Sequence, residues 1–348
     1  MIIRQKEPVN FESPFDRLNS FLTPNDSFYI RSHFKAPELT ADAYQLSIDG
    51  AVVNPLKLDY QQLRELPSIT VTATLECAGN GRVFLIPQVG GAQWELGAVG
   101  NAEWTGVPLR DLLERAGLAT NACEVVFEGA DYGIPKEPPL PPGPISYARS
   151  LPLAKAVRPE VLVAYQMNGR GLSQDHGYPV RLIVPGYYGM ASVKWLISIQ
   201  VLEEPFQGYW QTSDYAYWDY INGKPVRRPL SEIALKSQIA RPGMYEVILA
   251  GSEYVVTGAA WSGNAAVSEI ELSTDSGRHW TVAEFIDPAQ PYVWRRWRFL
   301  WRVPHEPGQC TLAARAKDAN GSTQPEGHNP NHGPYVINHA LPIDVIVR

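Results

Sequence analysis

Residues 69–82 read Ile69-Thr70-Val71-Thr72-Ala73-Thr74-Leu75-Glu76-Cys77-Ala78-Gly79-Asn80-Gly81-Arg82. The run Ile69–Leu75 is β-branched and threonine-rich, which predicts a strand. It breaks into Ala-Gly-Asn-Gly, a tight loop whose backbone N–H groups can converge on an anion. Cys77 falls just past the strand end. A lone cysteine is most often a small buried residue. Here a neighbouring arginine, Arg82, favours the thiolate, and a thiolate is the soft ligand that heavy redox metals prefer.

Strand signals recur outward from this stretch. Tyr44 to Ile48 alternates and reaches Gly50, and Asp59 with Gln62 forms the N-cap pattern of a short helix stopped by Pro67. Pro108 to Ala116 reads as a second helix, with Leu109, Leu112 and Leu113 on one face and Gly117 as its stop. Further strands are expected at Glu124 to Phe127, Val161 to Tyr165, Val180 to Val184 and Val193 to Val201. Six prolines between Asp131 and Tyr147 predict a stiff surface loop beside a pocket mouth, and the first forty residues read as an extended arm. After Tyr220, Asn222-Gly223-Lys224-Pro225 and Arg227-Arg228-Pro229 read as a linker. From Met244 onward, short strands alternate with turns, the rhythm of an immunoglobulin-like β-sandwich. The expectation is an α+β chain of two units, 1–224 and 225–348.

Composition narrows the function. The 348 residues are 45% hydrophobic and 19% charged, the balance of a folded globular protein. Thirty basic and 36 acidic residues give −6, against nucleic-acid binding by bulk charge. No run approaches the ~20 apolar residues that span a bilayer. The N-terminus shows no apolar export segment, and three scattered cysteines make no disulfide framework. A reducing compartment, the cytoplasm, is expected.

Other clusters could carry chemistry. His176 and Arg181 bracket the start of a strand in Asp175-His176-Gly177-Tyr178-Pro179-Val180-Arg181, and Lys194 adds a cation in the next one. That trio suits phosphate, although a simple capped turn gives the same spacing. Arg31 and His33 lie on one side of the extended Phe28–Phe34 segment. Residues 209–215, YWQTSDY, are rich in aromatics with one acid and read first as packing at a seam between domains. The run Arg295 to Arg302 interleaves arginine with aromatics, as single-strand binders do. Its alternation instead assigns Trp297, Phe299 and Trp301 to a core and Arg296, Arg298 and Arg302 to solvent. No G-x-S-x-G elbow supports a hydrolase. The spacing of His328 and His332 is a weak hint of a metal pair.

Together these segments resemble the sulfite oxidase family of molybdopterin-dependent oxidoreductases, over nearly the whole chain. The resemblance runs through FYIRSHF, TATLECAGNGR, WELGAVGNAEWTGVPLRDLL, LVAYQMNG, DHGYPVRLIVPG, SVKWL, the Asp214-Tyr215 pair and QPEGHNPNHG. It implies a mixed α/β molybdopterin-binding domain, a β-sandwich dimerisation domain and a homodimer. It makes Cys77 the protein ligand to molybdenum. Tyr29, Ile30, Arg31, Ser32, His33, Asp131, His176, Arg181, Ser192, Val193 and Lys194 would hold the cofactor and its phosphate. Arg82, Trp94, Tyr215 and Arg31 would surround a small anionic substrate, sulfite by this resemblance. The family's sulfite oxidases carry a further arginine in a Trp-Asn-x-Arg-Gly context, where this chain has His332 before Gly333. That departure leaves open another substrate, such as an S-oxide or N-oxide to be reduced. No haem domain is expected, so electrons would pass to an external acceptor. Neither a membrane nor a nucleic acid is expected as a partner.

Overall fold

The computed structural model describes residues 1–136, 138 and 140–348. The threonine-rich run forms strand Ile69–Glu76, paired antiparallel with Val99–Pro108 from Ile69 opposite Gly106 to Glu76 opposite Val99. Val99–Pro108 pairs in turn with Leu162–Met167, which also takes Arg181–Ile183 and Arg170–Gly171. A second sheet runs Leu56–Asp59, Gln45–Gly50, Leu196–Leu202, Glu124–Gly133, Ile145–Pro152. Only the contact of Gln45–Gly50 with Leu196–Leu202 is parallel in it. Helix Leu109–Ala116 buries Leu109, Leu112, Leu113 and Ala116, as its spacing predicts. Asp59 and Gln62 exchange both capping-box hydrogen bonds.

Two expectations change. The first forty residues are no loose arm. Ile2–Gln5, Asn10–Glu12 and Ile30–Arg31 form a three-stranded sheet. Buried Glu12 accepts from the Glu95 and Gly97 amides, and buried Asn10 accepts from the Ser32 amide. The stretch after Tyr220 is no open linker either. Ala216–Ile221 and Lys224–Pro229 pair as an antiparallel hairpin. Its turn is Asn222-Gly223, with φ of 51° and 74°, the left-handed pair that a two-residue hairpin turn requires.

The C-terminal unit is a sandwich of two sheets. One orders Lys236–Arg241, Glu253–Trp261, Arg295–Arg302 and Glu284–Phe285. The other orders Val247–Ile248, Ile343–Val347, Gly308–Asp318, Val267–Ser273 and Thr281–Val282. Trp297 and Trp301 enter its core, while Arg298 pairs with exposed Glu284, so the arginine–aromatic run is core plus solvated face. The two units share a core: Leu230, Ile233, Ala259, Trp261 and Trp294 pack in one cluster with Phe15, Leu46 and Val193. Among the described residues no helix is long and apolar enough to cross a membrane.

Candidate active site

The strand Ile69–Glu76 delivers Cys77 to a buried loop. Within it the Asn80 amide donates to the Cys77 carbonyl at 2.8 Å and the Arg82 amide to the Gly79 carbonyl at 3.0 Å, while the Cys77 amide donates to Ala98 at 2.9 Å. Those three N–H groups are engaged within the fold. The glycines make room for Arg82. A Cβ at Gly79 would stand 2.2 Å from Arg82 Nη2, and one at Gly91 2.3 Å from Nη1.

Cys77 stands where two cavities meet. The inner one and the outer one, about 670 and 1670 Å³ including their open mouths, share Arg31, His33, Cys77 and Tyr215 in their walls. The inner cavity is cationic. Arg181 donates to the His176 and Ser192 carbonyls at 2.9 and 3.1 Å, and its Nε has no partner. Lys194 Nζ donates to Ser32 Oγ and the Asp175 carbonyl, both at 2.8 Å. Arg31 donates to Asn10 Oδ1 and the Ser32 carbonyl. These charges are therefore buried against neutral oxygens. Burial, then the Arg181 charge, pulls the Lys194 ammonium below its ordinary value, while Asp131 opposes. Burial brings Arg181 down to about 10. His176 falls to about 3 through burial and the Arg181 and Lys194 charges, so it is neutral. Burial also raises the Asp131 carboxyl, against the pull of Lys194. Cations desolvated without a matching anion are costly, and this wall is complementary to one.

In the outer cavity, Arg82 Nε donates to the Pro334 carbonyl at 3.1 Å and Nη1 to Ala92 at 3.0 Å. Its guanidinium lies 5.4 Å from the Tyr335 ring centre. The Tyr335 hydroxyl donates to Asp214 in a short hydrogen bond. Tyr215 Oη and His33 Nε2 are 2.8 Å apart. Burial, then the Arg31 and Lys194 charges, keeps His33 neutral, and burial keeps the Tyr215 phenol protonated. Pro135, Lys136 and Pro138 of the proline loop line the mouth, as expected.

Residues 33–210 match the oxidoreductase molybdopterin binding domain family, and residues 227–333 the Mo-co oxidoreductase dimerisation domain family. The chain is 35% identical to the sulfite oxidase of Arabidopsis thaliana, across 93% of this chain and 88% of that protein. It is equally 35% identical to the mitochondrial sulfite oxidase of Rattus norvegicus, across 93% of this chain. The chain belongs to the sulfite oxidase family of molybdopterin oxidoreductases. It spans about 61% of the length of the rat protein. In three dimensions it is similar to the sulfane dehydrogenase SoxCD of Paracoccus pantotrophus, with a TM-score of 0.83, 28% identity, and coverage of 97% of this chain and 84% of that one.

Molybdopterin fits the site that this family member presents. Its phosphate would meet Arg181 and Lys194, and its metal would meet the Cys77 thiol where the cavities join. Tyr29, Ile30, Arg31, Ser32, His33, Asp131, His176 and Ser192 line the same inner cavity. Arg82, Tyr215 and His332 line the outer one.

Two expected site residues line neither. Trp94 is wholly buried beside the Cys77 loop, in a cluster with Leu75 and Ala98. Val89 to Ala92 line the outer cavity in its place, with Trp94 packed behind them. Val193 points into the main core, while Ser192, Lys194 and Trp195 line the inner cavity. Tyr335 and Tyr147 were not foreseen. Tyr335 meets Asp214 across 121 residues, and Tyr147 stacks on His33 with ring centres 4.9 Å apart. No local spacing announces either contact. Among the described residues no group of three or more His, Cys, Asp or Glu is placed to hold a metal, so the His328 and His332 hint does not develop into a site.

Proposed function

We propose that this chain catalyses molybdenum-dependent oxidation of sulfite. Sulfite and water give sulfate, two protons and two electrons, and the electrons pass to an external acceptor. What supports this reading is the place of Cys77, where an inner cationic cavity meets the outer one. Bound molybdopterin would supply the two-electron redox centre. The protein's share is charge and position. Arg31 and Arg82 face the site where a dianionic substrate and product would sit. Tyr215, protonated and in contact with neutral His33, can hold or pass a proton beside it. In this reading residues 1–224 are the catalytic unit and 225–348 the dimerisation unit of a homodimer. The three free cysteines accord with a reducing compartment such as the cytoplasm.

Likeness to a sulfane dehydrogenase, together with the breadth of the outer cavity, favours a second reading in which a bulkier reduced-sulfur compound is the substrate. A panel of sulfite, thiol-bound sulfane, S-oxides and N-oxides with an artificial electron acceptor or donor separates the two. Cys77→Ser should abolish turnover and remove one sulfur from the metal's X-ray absorption shell, while Cys123→Ser should do neither. Normal turnover in Cys77→Ser would end the proposal.

A further inference from the structure

Glu76 precedes Cys77 and is 2% exposed. Its carboxylate is fully engaged. Oε1 accepts from Lys236 Nζ at 2.9 Å and from Asn80 Nδ2 at 3.1 Å, and Oε2 accepts from Trp261 Nε1 at 2.9 Å. Lys236 Nζ donates again, to the Asn80 carbonyl at 3.0 Å. Asn80 Oδ1 accepts from the Ala98 amide at 3.1 Å, and Ala98 in turn accepts from the Cys77 amide. Glu76 and Asn80, on either side of Cys77, are thus tied to three side chains of the C-terminal sandwich, Lys236, Trp261 and Gln238, the last accepting from Asn80 Nδ2 at 3.4 Å. Lys236, Trp261 and Asn80 are each 1% exposed.

An ion pair this deep contributes little net stability compared with apolar residues of the same volume. Fully satisfied, it does fix a geometry, because any displacement leaves a charge unpaired in a low-dielectric interior. The charge lies one residue from the thiol that the site is built around.

We infer that Lys236 is a positioning residue for Cys77, acting through Glu76 and Asn80 to hold the thiol at the cavity junction. The sandwich unit thereby builds part of the catalytic centre. The inference rests on the assignment of Cys77 to the metal, but the experiment reads the loop itself.

The test uses cofactor-free full-length protein carrying Cys123→Ser and Cys310→Ser, so that Cys77 is the only thiol. Cys77 is only 7% exposed where it meets the cavities, so its rate of iodoacetamide alkylation reports how often the loop moves to free the thiol. Lys236→Met strands the Glu76 carboxylate and should raise the alkylation rate about tenfold or more. Leu312→Ala lowers the stability of the same sandwich from within its core and should leave the rate within about twofold of the parent. The double variant Glu76→Gln with Lys236→Gln replaces the ion pair by a neutral hydrogen-bonded one and should restore most of the protection. If Lys236→Met does not fold, Lys236→Gln alone against that double variant makes the same comparison. Alkylation of the Lys236 variants at the parental rate, or no faster than Leu312→Ala, overturns the inference. Loss of the Cys77 assignment would appear separately, as an unchanged metal–sulfur shell in Cys77→Ser holoenzyme.

Discussion

His332 carries the chain's departure from the arginine expected in the family's sulfite oxidases. Its imidazole is half-buried, edge-on to Tyr217 at 5.0 Å between ring centres, with Nδ1 unpartnered. Burial and the His328 charge pull its pKa below 6.5, and Asp219 only partly opposes them. The ring is therefore neutral at neutral pH and charged only under acid conditions. A bound dianion favours the protonated ring and would raise its pKa, so the ring's help to sulfite binding belongs to the acid side. KM for sulfite, corrected for sulfite's own ionisation, should rise as pH climbs past the ring's lowered free pKa and flatten above its raised pKa in the complex. His332→Arg should remove that slope and lower KM at neutral pH, by roughly tenfold if a charge-assisted hydrogen bond of about 1.5 kcal/mol forms. His332→Ala should give weak binding without the slope. Steady-state KM against pH for the three proteins checks this, and superimposable profiles would mean that His332 does not face the substrate.

At the scale of elements, the cations come from the starts and ends of strands: Arg31 closes Ile30–Arg31, Arg181 opens Arg181–Ile183, and Lys194 stands two residues before Leu196–Leu202. Burial lowers the Lys194 pKa from 10.5, so an unfolded chain holds that proton more tightly. Cofactor-free protein should then become more stable as pH rises from 7 toward 9, a slope that Lys194→Met should reduce. Phosphate in the cavity favours the charged ammonium, so pterin retention should fall over the same range. Arg181→Ala and Lys194→Met should fold yet carry little pterin, as read by fluorescence of the released, oxidised cofactor. Full occupancy in both would remove these residues from the phosphate site. The strands bearing these cations were legible because β-branched runs and capping pairs are local signals. The Ala216–Pro229 hairpin was not: its Asn-Gly turn is a strong hairpin signal, but Pro225 and Pro229 read as breaks, although both sit at the strand's ends. The N-terminal sheet was hidden because its strands are only two to four residues long, and Asn10–Glu12 takes its second partner from Ile30–Arg31, with Asn10 opposite Arg31. Cys77 and its cations were legible as chemistry, whereas Trp94 and Val193 show that a motif does not say which way a side chain points.

The whole molecule has a seam that does not separate. Beyond Lys236 with Glu76, Trp294 Nε1 donates to Phe21 at 2.9 Å, the Thr74 amide to Tyr292 at 2.8 Å, and Gln238 Nε2 to Leu96 at 2.9 Å. With Trp261 and Trp294 in the N-terminal core, neither unit can unfold without exposing the other's apolar surface. Cofactor-free protein at fixed concentration should therefore melt in one transition, with calorimetric and van't Hoff enthalpies equal. Lys236→Met provides a second measure. Removing one partner of a buried ion pair costs about 3–5 kcal/mol. Spread over the unfolding entropy of the whole chain, that lowers Tm by about 4–7 °C. A sandwich melting alone has only about a third of that entropy, so its own transition would fall roughly three times as far while a second stayed put. One transition moving by the smaller amount means that the two units unfold globally together, whatever local opening the Cys77 loop undergoes. Two transitions, only one of which responds, would mean that the shared core does not couple the units.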